Sequence, residues 1–465
     1  MTELQKELRE IAAKVQAKIP AVAAGKYRCR YHLMPPVGWM NDPNGLCYAN
    51  GFYHVFFQYA PESARGAGMR SWGHYAGADL LHWTFYGVAV YPDTEWDEDG
   101  AYSGSALPDG KGLRIYYTGN IKRKDKEYDY ISDGRESNTI LIRSEDGFTF
   151  KEKQVLLRTA DYPKEFTRHI RDPKVERTPQ GYRMVLGGRL KGDIGAVLLY
   201  KSQDGIQFSL QKVVTTPRKF GYMWECPDLF NMNGTEFLCV SPQGVPHERY
   251  QFQSVYSSGY FAGEADAENY HEWDCGFDFY APQTFWDGKR RILYGWVGMP
   301  DVPYDNAPTI AEGWQHTLTM PRELTEKGGK LYQMPAAEMR KLRGGELSMQ
   351  DECAAYELEL ENISAGTKVL LSDALEILFE KEECVLRFLT EAGRGRTERR
   401  AKVRAETASI FMDVSVCEIY LNDGERVFTT RLYPEKYAVK IEGGCTAKRY
   451  EMNGYTVRMD IQKQE

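Results

Sequence analysis

This chain of 465 residues is first informative through what it lacks. No apolar run approaches the roughly 20 residues needed to span a bilayer. The first twenty residues are charged throughout and have no apolar signal-peptide core. Its nine cysteines contain no Cys-x-x-Cys pair, and its eight histidines show no His-Glu-x-x-His or other close ligand spacing. No metal is therefore expected. An odd number of cysteines without a signal peptide reads as reduced thiols in a cytoplasm. Basic residues are not in excess: the formal net charge is −7, which disfavours nucleic acid or an anionic membrane as partner. A phosphate-cradling glycine loop, a dinucleotide fingerprint and a Ser-His-Asp order are also missing, and no cofactor is expected.

Aromatic residues, by contrast, are abundant, with 31 Tyr, 20 Phe and 9 Trp. They suit β-structure and carbohydrate faces alike. The length exceeds what a single growing core supports, so two domains are expected. Leu4, Leu8, Ile11, Val15 and Ile19 recur at helical spacing. That predicts an amphipathic helix over residues 1–25, packed on its own domain or used as a dimer contact. Between residues 45 and 300 one pattern repeats: a turn ending in glycine, then a strand of aromatic and β-branched residues. The turn glycines are Gly51, Gly112, Gly181, Gly234 and Gly288, spaced 61, 69, 53 and 54 residues apart. Asn50-Gly51, Asn233-Gly234 and Asp287-Gly288 are strong hairpin signals. A second repeat runs in phase, with Ser144-x-Asp146-Gly147, Ser202-x-Asp204-Gly205 and a looser Asp79-Leu80-Leu81-His82. Five such units predict an all-β chain whose residues 26–330 form a five-bladed β-propeller.

Nine residues before the turn glycines stand Asp42, Ser103, Asp172, Glu225 and Phe279. Three of these are carboxylates, each followed directly or after one residue by proline: Pro43, Pro173 and Pro227. Within Trp39-Met40-Asn41-Asp42-Pro43-Asn44-Gly45 alone, Asp42 reads equally well as a turn-forming side chain, because Asp and Asn bond to nearby backbone. The repetition argues for function. Equivalent positions in successive blades converge on one channel, where three carboxylates repel and shift their pKa values apart. Two carboxyl groups flanking a bond, one ionised and one protonated, are the minimum for glycoside hydrolysis.

Taken in order, several motifs resemble glycoside hydrolase family 32, the family of invertases, fructanases and sucrose-6-phosphate hydrolases. They are Trp39 to Gly45, Phe57-Gln58-Tyr59, Trp72-Gly73-His74, Tyr102-Ser103-Gly104-Ser105, Arg171-Asp172-Pro173 and Glu225-Cys226-Pro227. Asp278 to Gln283 and Met320-Pro321-Arg322-Glu323-Leu324 extend the match over about residues 30 to 325. The resemblance implies that Asp42 is the nucleophile of a retaining β-fructofuranosidase and Glu225 the acid and then the base. Asp172, with Arg171, would stabilise the oxocarbenium-like transition state. Asn41, Gln58, Trp72 and Ser103 would line the fructose subsite, with Tyr102 and Tyr280 close by, and Trp39 belongs to the same motif set. Such chemistry asks for an ionised Asp42 among donors such as Asn41 and a Glu225 with a raised pKa. It also asks for carboxyl groups about 5–5.5 Å apart. Cys226 either tunes Glu225 or is a small buried hydrophobe. Trp83 and Trp96 read as core, and His54 as a strand residue.

Residues 331–345 are expected to be a linker and residues 346–465 a β-sandwich, with Asn422-Asp423-Gly424 as one of its hairpin turns. The basic run from Arg394 to Arg404 reads as a solvated edge. A small sugar substrate is the expected partner, and the protein is expected to be a monomer or homodimer. A phosphorylated sugar needs a cation beyond the fructose pocket, for which Arg70 and Lys122-Arg123-Lys124 are candidates. Unphosphorylated sucrose and fructo-oligosaccharides remain open as substrates, as do transfer to sugar acceptors and an inactive sugar-binding role.

Overall fold

The aromatic and β-branched runs form strands, and the turn residues close them into hairpins. In the computed structural model, which describes residues 2–123 and 134–461, the chain is mostly β-sheet. Five successive sheets occupy residues 38–335, each built on four antiparallel strands in chain order. Their first strands are Gly38–Ala49, Ala101–Asp109, Phe166–Thr178, Met223–Met232 and Tyr280–Trp286. Asn50-Gly51 and Asn233-Gly234 hold positive φ at both turn residues, 53° with 83° and 52° with 91°. The twist of such a type I′ turn matches the strands it joins. The in-phase repeat closes the outer hairpins. Asp146 Oδ1 accepts from the N–H groups of Phe148 and Thr149, Asp204 Oδ1 from those of Ile206 and Gln207, and Asp79 Oδ1 from those of Leu81 and His82.

Every first strand carries a β-bulge at the same height. The register slips between Met40 and Pro43, between Tyr102 and Gly104, opposite Val185–Gly187, between Glu225 and Asp228, and between Tyr280 and Gln283. Pro43, Pro173, Pro227 and Pro282 fall within these slips, where a missing ladder donor does no harm. Three residues just before a proline are left-handed: Asp172 at φ 63°, Cys226 at 46° and Ala281 at 49°. Each costs about 1–2 kcal/mol, and such strain collects at functional sites. The bulges also correct the count back from the turn glycines. Aligned on their prolines, Asp172, Cys226 and Ala281 correspond, so the fifth-sheet partner of Glu225 is Tyr280, and Phe279 packs instead among Phe230, Phe237 and Leu324.

The single N-terminal helix expected over residues 1–25 is two helices, Glu3–Gln16 and Ile19–Ala23. Thr2 and Gln5 form a capping box at the start of the first, and Pro20 suits the first turn of the second. Leu8 and Ala12 pack with Tyr59, Phe85 and Val88 of the first sheet. Residues 343–452 form two further sheets, of six and five strands, which share a core that includes Leu358, Leu360, Val369, Ile377, Ile410 and Ile419. The stretch 331–345 is not an unstructured linker. Lys330–Pro335 completes the fifth sheet through a Gly328-Gly329 turn, Ala337–Leu342 is a short 3-10 helix, and Arg343–Leu347 opens the next sheet.

The basic run is a solvated edge only in part: Glu398–Lys402 is an edge strand, and Lys402 and Arg404 are exposed, but other members are engaged. Arg396 is buried and pairs with both oxygens of Asp278, at 2.7 and 2.8 Å, while Arg399 stacks on Phe277 at 3.9 Å. A larger buried network joins the first five sheets to the last two. Glu418 accepts from Arg322 Nη2 at 2.6 Å and His32 Nε2 at 2.9 Å, while His32 Nδ1 meets Asp413 at 2.7 Å. Burial opposes a charge on His32, but the hydrogen bonds to the two carboxylates outweigh it and hold the imidazole at about 9. Burial likewise opposes the Glu418 charge, yet Arg322 and His32 hold that carboxyl at about 2. Cys29 lies within ligand distance of His32 and Asp413, but both ring nitrogens of His32 are engaged by carboxylates, which leaves no lone pair for a metal. All nine cysteines are free thiols. No helix among the described residues is long and apolar enough to cross a membrane.

The network makes stability depend on pH. The raised His32 pKa contributes fully below the unfolded value of about 6.5, and this contribution is lost as pH rises through about 9. The depressed Glu418 pKa contributes above about 4.3 and is lost as pH falls through about 2. His32→Gln is expected to cost about 3–5 kcal/mol and to flatten the decline in Tm between pH 6.5 and 9. Differential scanning calorimetry across that range would show this, and an unchanged alkaline decline would remove His32 as its source.

Candidate active site

The five bulges turn their side chains toward one cavity of about 700 Å³. Trp39, Asn41, Asp42, Gln58, Arg70, Tyr102, Ser103, Arg171, Asp172, Glu225 and Tyr280 all line it. Asp42 Oδ2 accepts from the Ser103 hydroxyl and, at 3.8 Å, from the Cys226 thiol. Asp172 Oδ2 accepts from the Cys226 backbone N–H at 2.9 Å, a contact made possible by the left-handed turn at Cys226. Glu225 is held on both oxygens. Oε1 accepts from Arg171 Nε at 3.1 Å and Nη2 at 2.5 Å, and Oε2 from Tyr280 Oη at 2.6 Å and Gln243 Nε2 at 2.7 Å.

Three carboxylates thus share a cleft with one bonded guanidinium. Burial pushes Asp42 up to about 7, the Ser103 hydroxyl pulls it down, and the charges of Asp172 and Glu225 raise it further. Burial lifts Asp172 to about 6 against the pull of Arg171. Asp42 is therefore not the firmly ionised member expected from the sequence, because its donors are only a hydroxyl and a thiol. Asn41 is not among them. Its Oδ1 is buried without a hydrogen-bond partner, an acceptor open to a substrate hydroxyl.

Two expected residues lie elsewhere. Trp72 is fully buried behind the cavity, where its Nε1–H donates to the Tyr102 carbonyl at 3.1 Å and its ring packs edge-on to Tyr117. It positions the Tyr102–Ser103 bulge and does not line the subsite. Lys122 is exposed outside the cavity, at the end of strand Gly112–Lys122, with its backbone N–H on Asp99. Lys124 lies outside the described residues. Trp83 is core, and His54 sits in a strand with Nδ1 3.0 Å from His74 Nε2.

Comparison with known proteins accords with this arrangement. Residues 32–335 match the model of the glycosyl hydrolases family 32 N-terminal domain, and residues 390–454 that of the family 32 C terminal. The chain belongs to glycoside hydrolase family 32. Over 97% of its length it is 36% identical to a sucrose-6-phosphate hydrolase of Bacillus subtilis, covering 98% of that protein. Over 92% it is 36% identical to a raffinose invertase of Escherichia coli, covering 94% of it. Among solved structures, the sucrose-6-phosphate hydrolase of Lactobacillus gasseri superposes with a TM-score of 0.85 at 28% identity, over 96% of this chain and 97% of that one.

Within this family 32 chain, several cavity residues escaped the sequence reading. Gln243 is the last residue of Thr235–Gln243, the strand that follows the Gly234 turn and pairs with the strand of Glu225. His169 stands two residues before a recognised motif and Arg189 lies within the strand that follows Gly181, and only their register brings them to the cavity. Arg135 and Tyr222 carried no signal at all.

The electrostatic coupling can be read directly. Carboxyl-carbon NMR titration of Asp42 is expected to give a midpoint near pH 7. Asp172→Asn removes a negative neighbour and is expected to lower that midpoint. An unmoved midpoint would show that the two carboxyls are not coupled.

Proposed function

We propose that the chain hydrolyses the terminal β-D-fructofuranosyl bond of sucrose 6-phosphate and sucrose by a retaining double displacement. The observation that carries this is the meeting of Asp42, Asp172 and Glu225 in one cavity, with Glu225 held by Arg171, Tyr280 and Gln243. Asp42 attacks the anomeric carbon and forms a fructosyl ester. Glu225 delivers a proton to the departing oxygen and then takes one from the attacking water. Asp172 accepts hydrogen bonds from fructose hydroxyls that tighten as positive charge develops on the ring. Asp42 and Asp172 are coupled, and attack requires Asp42 in its ionised form. Relatives named sucrose-6-phosphate hydrolase and raffinose invertase support the reaction and the substrate class.

On the same reading the five meander sheets are blades of a five-bladed β-propeller, supported by their common topology and equivalent bulges. The two later sheets form a β-sandwich, with the boundary near Pro335. Nine free thiols, most of them buried, support a cytoplasmic setting. The protein needs only its sugar substrate, and works without nucleic acid, membrane or cofactor.

Glu225→Ala is expected to lose about 10²–10⁴-fold in kcat, and Asp42→Ala on the order of 10⁴-fold, both with unchanged Tm. Quenched wild-type reactions analysed by intact-protein mass spectrometry are expected to show one fructosyl adduct on Asp42. Near-native turnover in either variant, or an adduct on another residue, would overturn the assignment. The kcat/KM of the wild type is expected to fall below about pH 7 as Asp42 takes up a proton. Asp172→Asn is expected to lower kcat about 10²–10³-fold and to move this acid limb to lower pH.

A further inference from the structure

One wall of the cavity is more cationic than hydrolysis of a neutral sugar requires. Arg171, already bonded to Glu225, donates Nη1–H to His169 Nδ1 at 2.7 Å, which fixes that imidazole with its proton on Nε2. Arg135 and Arg189 lie close enough to His169 to disfavour its protonation, in addition to burial and Arg171. Three strands deliver this group: Arg135 opens Arg135–Ser144, His169 lies on Phe166–Thr178, and Arg189 is the last residue but one of Gly181–Leu190. The guanidiniums are held against aromatic faces, Arg135 at 5.8 Å from the Tyr102 ring centre and Arg189 at 4.9 Å from that of Tyr222. Arg189 gives Nε and Nη2 to Asp193 Oδ1, at 3.2 and 2.6 Å, and leaves Nη1 for a further in-plane acceptor, the geometry that suits carboxylate and phosphate. The Asp193 side chain is more than half exposed, which weakens its hold on the guanidinium.

The position of this wall gives it a role. Glu225 protonates the bridging oxygen, so the leaving hexose must lie on the Glu225 side of the fructose ring. From Glu225 the contacts run through Arg171 to His169, which feels the charges of Arg135 and Arg189. Arg70 stacks on Trp39 at 4.5 Å and interacts with Tyr102 first and then with Asp42.

We propose that Arg135, His169 and Arg189 form the subsite for a phosphate monoester carried by the leaving hexose. Arg189 is its main cation, and this wall, in place of Arg70 or Lys122, sets the preference for sucrose 6-phosphate over sucrose. The inference rests on the fructosidase reading above. A phosphate dianion is a strong acceptor for charge-assisted N–H bonds, and a partly desolvated wall strengthens the attraction relative to water.

The test measures kcat/KM on sucrose 6-phosphate and on sucrose for the wild type, Arg189→Ala, Arg189→Lys, Arg135→Lys and Arg70→Ala. It also measures inhibition by inorganic phosphate. The wild type is expected to prefer the phosphorylated sugar at least tenfold. Arg189→Ala is expected to cut that ratio tenfold or more and to weaken phosphate inhibition in parallel, with partial retention in Arg189→Lys. Arg135→Lys is expected to lower the ratio without loss of Tm, while Arg70→Ala changes both sugars together. Fructose release from both sugars at equal efficiency, or a ratio unmoved by Arg189→Ala, would overturn the subsite and leave the fructosidase reading intact. No fructose from either sugar with folded wild-type protein would overturn both.

Discussion

Three carboxylates taken out of water beside a single bonded guanidinium are the constraint on which the rest of this molecule turns. Alone, such a group would scatter or neutralise itself, because desolvation and mutual repulsion both disfavour its charge. Here each carboxylate is fixed at a β-bulge, and the bulges recur at one height in five sheets. A regular strand would point alternate side chains to opposite faces of its sheet. The extra bulge residue and the left-handed turns at Asp172, Cys226 and Ala281 turn the functional side chains to the cavity. The opposition between Arg171 and the carboxyl trio leaves the site able to hold a proton near neutral pH, which is what a paired acid and nucleophile require.

Much of the surrounding structure serves to keep those bulges still. Trp72 holds the Tyr102 carbonyl from behind, Gln58 donates to Ala101 at 2.5 Å, and Asn44 accepts from Gly104. Gly45 must be glycine: its φ is +53°, and a Cβ there would meet the Phe56 ring at 2.6 Å. Farther out, Arg396 of the C-terminal sheets grips Asp278, two residues before Tyr280, so the fifth wall of the cavity is anchored from outside its own sheet. The His32, Asp413, Glu418 and Arg322 network does the same for the segments around residues 30 and 320. The later sheets therefore act on the site by bracing two of its supports, without contributing a side chain to the cavity lining.

Expectations from the sequence held where local chemistry decides the outcome, and slipped where register or distant contacts do. Asn-Gly turns, the Ser-x-Asp-Gly turns and the alternating strands were legible because turn geometry and side-chain period are local properties. The three carboxylates were legible because each precedes a proline at a fixed distance from a turn. Counting from the turn alone failed at Phe279, since the bulges lie at different distances from their turns and a slip of one residue changes which side chain reaches the cavity. Trp72 stands in a recognised motif but supports the site from behind, and a motif does not say which face a side chain takes. Arg396 within the basic run and the stretch after residue 330 misled for a related reason: polar composition reads as solvent exposure until a buried carboxylate such as Asp278, or a partner strand, is seen beside it.

The sequence by itself determined the β-rich architecture, the five-unit repeat, the carboxylates and the family to which their motifs belong, because these rest on spacings of a few residues. Only the tertiary structure decided that Asp42 is raised, that Trp72 and Lys122 stand outside the cavity, and that Arg135, His169 and Arg189 share one wall. Those outcomes depend on burial and on distances between strands far apart in the chain. Charge interactions scale with distance and local dielectric, quantities that exist only once the sheets have assembled around their common cavity.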